Sequence, residues 1–594
     1  MEDIFKPSSL TIKQLFGNTD SLYQIPRYQR PYSWIDEQLE KLWDDLNEAY
    51  ENDPNYFLGS IITAKPEESS TYLDIVDGQQ RLTTLTILLC VYRDLYPDIN
   101  QHLLDSDPFA VDKKIIESSI RFNDRFERLR LKTHSNHQSQ FEELILRGKT
   151  TIHKRPSKMD LKKEEAPVYK FVNTAWFFTK KLTELNEDKA GELLNYIFNS
   201  VKIIRIDCQT VSFAIKLFQV LNDRGLDLSN SDLIKSYLMG QIQSVYAKDH
   251  ELRRQKEDQF MDDWKVCESI AVDTDYPIND LFVMFQYYLL ASNPKKGLYD
   301  ELIAFFGSSK KYRGLPNEVI SDFKNFCMNY KEKIYYAEDK NIYAFWYLRW
   351  GVYWRTILTA SLQTNYSSHQ TLVKQLLRFY YLNWIAGYTL SKIKQTSFNI
   401  IKWVKEGKPI KLIQEELNKH LEENNTIERA KENLNGDIYF DSWCRPLLAM
   451  IEYNQLDSSN LSFIEIFDRS LHVEHVLPKA YVKNDAWVHF HGDKEVKDWI
   501  NTGANLTLLS GSKNIAASND AFSEKIKAYS GKGFYKNTEG ITSFRISQKI
   551  VDDYNAGLFE KKWNWDALYN RWNWFCDQME EILEIDMSES RVDE

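Results

Sequence analysis

The sequence predicts a multidomain α+β protein. Three features indicate this class: a length of 594 residues, short strand-like runs near both ends, and helical periodicity between them. A chain of this length exceeds one ordinary domain, and its apolar content of 43% is enough to fill several cores. We expect an α+β domain over 1–240, a mainly helical domain over 241–425 and a mixed domain over 426–594.

The first zone contains two predicted strands and one predicted helix. Residues 56–63 (YFLGSIIT) and 72–76 (YLDIV) are rich in the β-branched and aromatic side chains typical of strands. Asp77 and Gly78 form a turn, after which residues 79–92 have the apolar spacing of a helix. A strand is therefore expected to meet a helix N-terminus directly at this turn.

Aromatic side chains are concentrated in two stretches of the helical middle, residues 343–354 (YAFWYLRWGVYW) and 379–388. Such rings could stack on nucleotide bases. Rings at helical spacing more often fill the core between helices, and this is the interpretation we favour.

The last zone returns to mixed structure. Residues 471–478 (LHVEHVLP) and 505–514 (NLTLLSGSKN) contain strand-like runs separated by a polar loop, and a helix follows the second run. A tryptophan-rich helix is predicted over 563–584.

The overall charge does not by itself favour a nucleic-acid partner. The net charge is −11 and the sequence pI is about 5.7, so positive charge must be concentrated locally if the chain binds DNA. Residues 113–170 are the most basic stretch, with 15 Lys or Arg against 8 Asp or Glu. Lys154, Arg155 and Lys158 are candidate contacts to a DNA backbone. A solvated surface segment is the alternative interpretation.

The cysteines and the chain start bear on the cellular compartment. The chain has six cysteines and no CxxC pair, which argues against a zinc ribbon and a disulfide framework and fits a reducing cytoplasm. The N-terminal residues do not form a signal peptide, and the longest apolar runs are too short to span a bilayer. We expect a cytoplasmic protein without a membrane partner.

The pair Glu474-His475, followed by Asn505 and Asn514, has the residue types needed to hydrolyse a phosphodiester. Hydrolysis requires a base for the attacking water and neutralisation of the charge that develops on the phosphate. His475 can be the general base, because an ordinary histidine titrates near neutral pH. Glu474 and Asn514 can hold one Mg²⁺ or Mn²⁺, since hard cations prefer oxygen ligands. Asn505 can tie down the intervening loop by backbone hydrogen bonds and so orient His475.

Two further residues could support this string. His472 lies in the same strand-like run, and Lys525 lies in the helix-like segment after Asn514. Either could contact the substrate or a metal ligand. The alternative is an ordinary α+β domain in which a buried histidine is satisfied and the asparagines cap turns. Four motif positions in order favour the catalytic interpretation.

The string DGQQRLTT, residues 77–84, has the features of a phosphate site. A helix N-terminus presents free N–H groups to a phosphate, and Gly78 lets the backbone approach closely. Arg81 can hold phosphate oxygens with its guanidinium fork, and Asp77 can hold Mg²⁺ or a water. The stretch 25–34 (IPRYQRPYSW) adds arginines and aromatics that could clamp a base. A capped helix with surface arginines is the alternative.

A third string, residues 218–229 (FQVLNDRGLDLS), could also face a nucleotide. Its Asn-Asp-Arg-Gly segment equally fits a helix end closed by glycine. The candidate nucleotide-binding residues outside the turn itself are Arg27, Arg30, Tyr32, Trp34, Gln79, Gln80, Thr83, Asn222, Arg224 and Lys235.

These strings resemble one known family. Glu474-His475, Asn505 and Asn514 match the order of an acidic residue-His pair, a structural Asn and a ligand in the ββα-metal (HNH) nucleases. More closely, VEHVLP with NLTLLSGSKNIAASNDAFSEK is similar to the C-terminal nuclease domain of the GmrSD family of restriction enzymes, over roughly residues 430–575. IPRYQRPYSW, FLGSIIT and IVDGQQRLTTL resemble the N-terminal domain of that family, which is similar in fold to ParB and sulfiredoxin.

The resemblance implies NTP hydrolysis by a ParB/sulfiredoxin-like domain, with Asp77 and Arg81 in catalysis. It also implies DNA cutting by a ββα-metal (HNH) domain embedded in helices. Family members act as type IV restriction enzymes in anti-phage defence, so the implied partners are double-stranded, modified phage DNA and NTP. A homo-oligomer is compatible with this.

Two other functions remain open at this point. One is an NTP-independent, non-specific nuclease or toxin. The other is a ParB-like nucleotide switch that binds DNA through a non-catalytic HNH fold. The intact Glu474, His475 and Asn514 argue against the switch.

Overall fold

The structure is a computed structural model, and its contacts divide the chain into two compact units. The first unit comprises Met1–Phe260 with Lys310–Asn317, and the second Met261–Ser309 with Glu318–Glu594. The helices after residue 260 therefore group with the last zone, a different division from the three expected zones. The described residues are 5–17, 22–53, 55–66, 70–122, 126–147, 149–157, 159–162, 166–222, 229–456, 462–464, 471–510, 520–530 and 544–592.

Strands and helices follow one another in the α+β pattern that the sequence predicts. The strands are β1 Phe5–Thr11, β2 Tyr23–Gln24, β3 Phe57–Ala64, β4 Leu73–Asp77, β5 Leu131–Lys132, β6 Lys202–Cys208, β7 Leu471–His475 and β8 Leu506–Ser510. The helices up to residue 245 are α1 Ile12–Gly17, α2 Asp36–Asn52, α3 Gln79–Leu95, α4 Lys113–Ile120, α5 Gln138–Phe141, α6 Ala166–Thr183, α7 Glu187–Asn199, α8 Val211–Asn222 and α9 Asn230–Val245.

The later part of the described chain is mainly helical. Its helices are α10 His250–Asp273, α11 Ile278–Leu290, α12 Leu298–Ser308, α13 Pro316–Tyr330, α14 Lys340–Phe345, α15 Gly351–Gln363, α16 His369–Ile385, α17 Leu390–Lys405, α18 Ile410–Glu423, α19 Thr426–Leu434, α20 Cys444–Asn454, α21 Val496–Trp499, α22 Phe522–Ser530, α23 Arg545–Asn555 and α24 Trp565–Leu583. None of the described helices combines the length and the apolar content needed to cross a bilayer.

The first unit is built on a six-stranded mixed sheet in the order β1-β6-β3-β4-β2-β5. Strands β4, β2 and β5 run parallel, whereas β1 is antiparallel to β6 and β3 is antiparallel to β4. Helix α3 leaves β4 at the predicted Asp77-Gly78 turn, and almost every residue from Gln79 to Tyr92 is buried. Apolar residues of α3 join Tyr23 and Ile75 of the sheet in one core cluster.

Strand β6 was not expected from the sequence. Residues 202–208 (KIIRIDC) are not among the strands predicted at 56–63 and 72–76, yet they pair with β1 and in parallel with β3. The strand is short, and its burial alternates only partly. Its position is therefore determined by partners far away in sequence rather than by its own pattern.

The aromatic stretches of the middle zone fill the core, as we expected. Phe345 and Trp354 of the first stretch and Tyr380 and Tyr381 of the second are fully buried. Trp354 packs against the ring of Phe345 at 5.0 Å. These rings are therefore unavailable for stacking on bases. The second unit also contains a two-stranded antiparallel sheet, β7 with β8.

Candidate functional site

His475 is the last residue of β7 and pairs in register with Leu506 of β8. Neighbouring residues of a strand project to opposite sides, so Glu474 and His475 face different surroundings. Both side chains are buried. The short sheet therefore supplies two distinct polar positions at one strand end.

Asn501 and, through it, Asp437 fix the tautomer of the His475 ring. Its Nε2 lies 2.9 Å from Oδ1 of Asn501, whose Nδ2 donates to Oδ2 of Asp437 at 2.9 Å. A carboxylate only accepts, so the NH₂ group of Asn501 faces Asp437 and its oxygen faces the ring. Nε2 must then donate, which leaves Nδ1 with the free lone pair. Burial lowers the pKa of His475 to about 4, so the ring is neutral at neutral pH.

Aromatic rings and one lysine form the solvent-facing side of His475. The Tyr439 ring lies 4.4 Å from the His475 ring, and the ammonium of Lys479 lies 3.7 Å above the Tyr439 ring. The same ammonium lies 4.7 Å from the ring of Phe440, which is 74% exposed. Lys479 thus places a positive charge close to His475.

Asn505 is completely buried and fixes the chain that follows β7. Its Oδ1 accepts from the backbone N–H of Leu477 at 2.7 Å, and its Nδ2 donates to the Leu477 carbonyl at 2.9 Å. The same Nδ2 donates to the carbonyl of Ile500, and the Trp563 indole donates to Oδ1 at 3.2 Å. The amide thereby connects three separate segments of the chain around the end of β7.

Gly503 brings the last helix against the same region. A Cβ at this position would lie 2.7 Å from the ring of Phe575 in α24, so only glycine permits this approach. Together with the Trp563 bond, this contact ties the C-terminal helical segment to the backbone around Asn505.

Glu474 forms a buried pair with Lys525 of α22. Lys525 Nζ donates to Glu474 Oε1 at 2.5 Å and to the His475 carbonyl at 2.7 Å, and the Tyr529 hydroxyl lies 3.3 Å from the same Oε1. Burial raises the pKa of Glu474 and lowers the pKa of Lys525, while the mutual contact opposes both shifts. The link joins the two strands to a helix.

This arrangement fits a divalent metal ion only in part. Glu474 offers an oxygen ligand of the right chemistry, but the ammonium of Lys525 already occupies Oε1 and would repel a cation there. The second expected ligand, Asn514, lies outside the described residues. Within the described part of the chain, no group of three or more His, Cys, Asp or Glu could hold a metal ion. His472 is half-buried and pairs in register with Leu509.

The Asp77-Gly78 turn has the geometry that the phosphate hypothesis requires at its backbone. Gly78 has a φ of 85°, and a Cβ there would collide with Ile61 on β3. No side chain caps α3, so its first N–H groups have no partner within the helix. The guanidinium of Arg81 lies against Gly59 and 3.7 Å from the Asp77 carboxylate. Burial raises the pKa of Asp77, and Arg81 opposes that shift.

Gln79 and Gln80 bind the preceding chain segment instead of facing solvent. Gln80 Oε1 accepts from the N–H of Ser33 at 2.8 Å, and Gln79 Nε2 donates to Oε1 of Gln29 at 3.1 Å. Both glutamines are buried. Their contacts hold the 25–34 segment against the start of α3, a structural role that the sequence hypothesis did not include.

Other residues proposed to touch a nucleotide lie in the core. The Tyr32 hydroxyl bonds to Thr84 at 2.7 Å, and its ring stacks on Phe171 at 5.4 Å. Thr83 is fully buried, and Trp34 packs half-buried against the core cluster. A base clamp that uses Tyr32 does not fit this burial, because the ring is already covered on the core side.

The remaining basic candidates differ in their surroundings. Arg30 is exposed, whereas Arg27 forms an ion pair with Asp258. Lys235 is buried, and its charge adds to the burial that lowers the pKa of His134. Asn222 ends α8, but its side chain and all of Arg224 lie outside the described residues.

The candidate DNA-backbone residues are not equivalent. Lys154 is exposed, whereas Arg155 pairs with Asp36 and lies 4.8 Å from the Trp176 ring. The charge of Arg155 is therefore already compensated within the protein. Lys158 lies outside the described residues. Contact between this segment and the DNA backbone stays a prediction.

Two family models match the chain. The N-terminal domain of the GmrSD restriction endonucleases matches residues 12–239, and the C-terminal domain of the GmrSD restriction endonucleases matches residues 421–577. The two matches together cover more than half of the chain. It belongs to the GmrSD restriction endonuclease family. No curated protein matches this GmrSD chain.

Two polar residues of the GmrSD C-terminal match were missed by the sequence reasoning. Asn501 and Asp437 both lie within it, and they contact His475 directly and through one intermediate. Nothing in their local sequence separates them from other polar loop residues. Only the fold brings Asp437, 38 positions before His475, to the same place.

Replacing Asn501 with alanine should lower the rate of DNA cleavage by this GmrSD chain about ten- to a hundredfold, because the His475 ring loses the bond that fixes its orientation. Asp437→Asn should have a smaller effect, since an amide oxygen still accepts from Asn501. Steady-state kinetics on plasmid DNA should show the loss in kcat with KM within about twofold.

A matched variant, Asn484→Ala, removes an amide that caps the turn 485–490 and should cut normally. If Asn501→Ala changed KM alone, or if it cut at the wild-type rate, the contact of Asn501 with His475 would have no role in cleavage.

Proposed function

We propose that this GmrSD-family chain is a nucleotide-dependent, modification-dependent DNA endonuclease that cuts phosphodiesters at a one-metal HNH site. One observation carries the proposal. The His475 ring is buried, neutral and bonded through Nε2 to Asn501, so Nδ1 is the proton acceptor. A general base of this kind is what phosphodiester hydrolysis requires.

In this proposal each residue of the site has its own role. His475 Nδ1 takes a proton from the attacking water, while Asn501 and Asp437 hold the ring. Lys479 lies where it can attract the phosphate. Asn505 keeps the backbone after β7 in place.

We further propose that Glu474 and Asn514 hold one Mg²⁺ or Mn²⁺. The ion would neutralise the charge that develops on the phosphate and on the leaving oxygen. Because Lys525 bonds to Oε1 of Glu474, an ion would have to bind the other carboxylate oxygen. Lys525 then keeps the carboxylate oriented and ionised beside the base.

For the nucleotide, we propose a site at the N-terminus of α3. The first N–H groups of the helix, Gly78 and the exposed Arg30 suit phosphate oxygens, with Arg81 as a bidentate partner. Asp77 would hold Mg²⁺ or water. NTP hydrolysis at this site would permit DNA cleavage at the His475 site. The chain would act in the cytoplasm, in defence against modified phage DNA.

Cleavage assays can separate this proposal from its alternatives. Modified and unmodified phage DNA should be incubated with the chain, each with and without NTP and Mg²⁺. Cutting only of modified DNA with both additions supports the proposal. Equal cutting of every DNA without NTP identifies an unregulated nuclease, and NTP turnover without any cutting identifies a nucleotide switch.

Removal of divalent ions should abolish cutting. Excess EDTA is expected to stop cleavage, and Mg²⁺ or Mn²⁺ should restore it, because no other charge replaces the ion at the leaving oxygen. Glu474→Ala and Asn514→Ala should each raise the Mg²⁺ concentration that gives half-maximal cutting. Full cleavage in EDTA would show that Lys525 or Lys479 suffices and that no metal is needed.

Arg81→Ala should suppress NTP turnover by roughly ten- to a hundredfold, since it removes a bidentate phosphate contact. If the two sites are coupled, NTP-stimulated cutting should fall as well, although the His475 site is untouched; such couplings are typically about 1–3 kcal/mol. Phosphate release and plasmid cutting measure the two effects. Arg147→Ala, an exposed arginine of the same unit, is the control. Unchanged turnover in a folded Arg81→Ala chain would remove the α3 site from the proposal.

A further inference from the structure

The ring of Phe440 is 74% exposed, more than any other aromatic ring in the described part of the chain. It lies at the tip of a tight turn, residues 438–441, in which the Asp441 N–H donates to the Ile438 carbonyl at 3.1 Å. Ile438 is completely buried and anchors the turn. Single exposed apolar side chains are common, so a role for Phe440 depends on its surroundings.

The 438–441 turn is bonded to the residues that hold the His475 ring. Asp437 Oδ1 accepts from the Tyr439 N–H at 3.2 Å, and its Oδ2 accepts from Asn501 Nδ2 at 2.9 Å. The Asn501 carbonyl accepts from the Ile438 N–H at 3.1 Å, and its side-chain oxygen faces His475. One network of hydrogen bonds therefore fixes both the turn and the candidate general base.

The Tyr439 ring connects the exposed ring to His475. Its centroid lies 4.4 Å from the His475 ring and 5.0 Å from the Phe440 ring. Phe440 is therefore within about 10 Å of His475, roughly three base steps along a DNA strand. A DNA strand whose phosphate lies at His475 has bases within reach of Phe440.

Two exposed cations accompany this turn. Lys479 Nζ lies 4.7 Å from the centre of the Phe440 ring. Arg349 Nη2 donates to Oγ of Ser442, the second residue after Phe440, at 2.8 Å. Arg349 precedes α15 and lies outside both regions that match the family domains. Cations at these two positions suit phosphates on the strand that carries the bases.

Two exposed carboxylates, Asp437 and Asp441, offset the charge of Lys479 and Arg349. The surface around the turn is therefore nearly neutral, and its charge alone does not attract DNA. What the turn offers is an uncovered aromatic ring, which gains free energy when apolar faces cover it. Another protein could also cover this ring, but the connection to His475 and the two cations favour DNA.

We propose that Phe440 is a wedge that enters the base stack of duplex DNA a few nucleotides from the phosphate that is cut. Side chains of this kind partly unstack one base step and kink the duplex. Lys479 and Arg349 bind phosphates beside the wedge, so the DNA surface extends to the segment before α15. Phe440 is a positioning residue, because it fixes the DNA relative to His475. The inference rests on the proposed function, in which His475 is the centre of cleavage.

The first test measures base unstacking without cutting. The full chain with His475→Ala is the parent, so that the DNA stays intact. The probe is a short duplex with 2-aminopurine in place of adenine and with the modified base of the phage DNA used for cleavage. Binding of the parent should raise the 2-aminopurine fluorescence. Addition of Phe440→Ala should abolish most of this rise, whereas Phe440→Leu should keep part of it, because leucine also acts as a wedge.

The matched control is Tyr336→Ala. Tyr336 is also an exposed ring near a lysine, with Lys331 Nζ 6.0 Å from its centre, but it packs on Tyr335 and not on the turn. This variant should keep the fluorescence rise. Because Phe440 is mostly exposed, Phe440→Ala should unfold near the temperature of its parent, so a lost signal would not reflect misfolding.

The salt dependence of DNA binding separates the wedge from the cations. Arg349→Ala should lower the slope of log affinity against log salt by about one, since one phosphate contact is lost. Phe440→Ala should leave this slope unchanged and weaken binding about fivefold or more, because an uncharged stacking contact is lost. In the chain with His475 intact, Phe440→Ala should lower kcat about tenfold or more, since the phosphate is less well positioned.

The outcomes distinguish this inference from the proposed function. Unchanged fluorescence and affinity in Phe440→Ala would overturn the wedge, as would a parent chain that binds the duplex without any rise in fluorescence. If the chain with His475 intact cuts DNA in either of these cases, only the wedge is wrong. If the rise depends on Phe440 but the chain with His475 intact cuts no DNA, the wedge is supported and the proposed function fails.

Discussion

Replacing His475 with alanine should lower DNA cleavage by at least about 10²- to 10⁴-fold, because the chain would lose the general base that we propose and no described neighbour is placed to replace it. The polar groups closest to the ring are an amide and a carboxylate engaged with each other, Asn501 and Asp437. Plasmid nicking under single-turnover conditions measures the chemical step directly.

The control for this variant is a histidine in the same unit that does not touch the site. His491 bonds to the carbonyl of Tyr481, and His491→Ala should cut at close to the wild-type rate. DNA binding by His475→Ala should be retained in a gel-shift assay, since phosphate contacts are made by other residues. If a folded His475→Ala chain nicked DNA at the wild-type rate, His475 would not be the general base.

Replacing Asn505 with alanine should produce the largest loss of stability of any single change at this site. The variant leaves two groups of Leu477, the Ile500 carbonyl and the Trp563 indole without their partner in a dry environment. Buried groups without partners cost about 1–3 kcal/mol each, although neighbouring losses do not simply add. A loss of about 3–5 kcal/mol is expected for the unit that contains β7 and β8.

Calorimetry of the full chain should show the corresponding transition lowered by roughly 4–7 °C. Asn505→Asp tests the donor half of the amide, because a carboxylate still accepts from Leu477 and Trp563 but cannot donate to the two carbonyls. Asn484→Ala, which removes a turn cap, should cost about 1 kcal/mol. A loss below that value for Asn505→Ala would show that the loop is held by other contacts.

The local parts of the fold could be predicted from the sequence. β4, α3 and the turn between them follow from one strand pattern, one Asp-Gly pair and one apolar spacing, and the structure has them at Leu73–Asp77 and Gln79–Leu95. The same holds for β7 and for the helix at Trp565–Leu583. Each of these signals lies within a few residues of the element that it predicts.

Features that depend on distant partners could not be predicted. β6 is a strand because β1 and β3 lie on either side of it, although both precede it by more than a hundred residues. Asn501 and Asp437 gain their place beside His475 only when the loop and the helical segment meet. A sequence motif can name a reactive residue, but the groups that orient it come from anywhere in the chain.

The roles of the polar residues at the start of α3 were predicted only in part, and for a different reason. Its polar residues were all interpreted as facing a nucleotide, because a polar string after glycine is typical of a phosphate site. Gln79 and Gln80 instead bond to the 25–34 segment, whereas Arg81 stays half-exposed at the helix start. Polar residues form contacts within the protein as readily as contacts to a ligand. Only their burial in the structure distinguishes the two roles.

The contact of Gly503 with Phe575 makes the surroundings of Asn505 depend on a part of the chain that is synthesised late. Phe575 leaves the ribosome about 100 residues after His475, a delay of roughly 5–20 s at ordinary synthesis rates. Until Trp563 and Phe575 have both emerged, Asn505 lacks its Trp563 partner or Gly503 lacks a ring to pack against. Chains that end before Trp563 should therefore lack two contacts around Asn505, and we expect them to cleave DNA less than the full chain does.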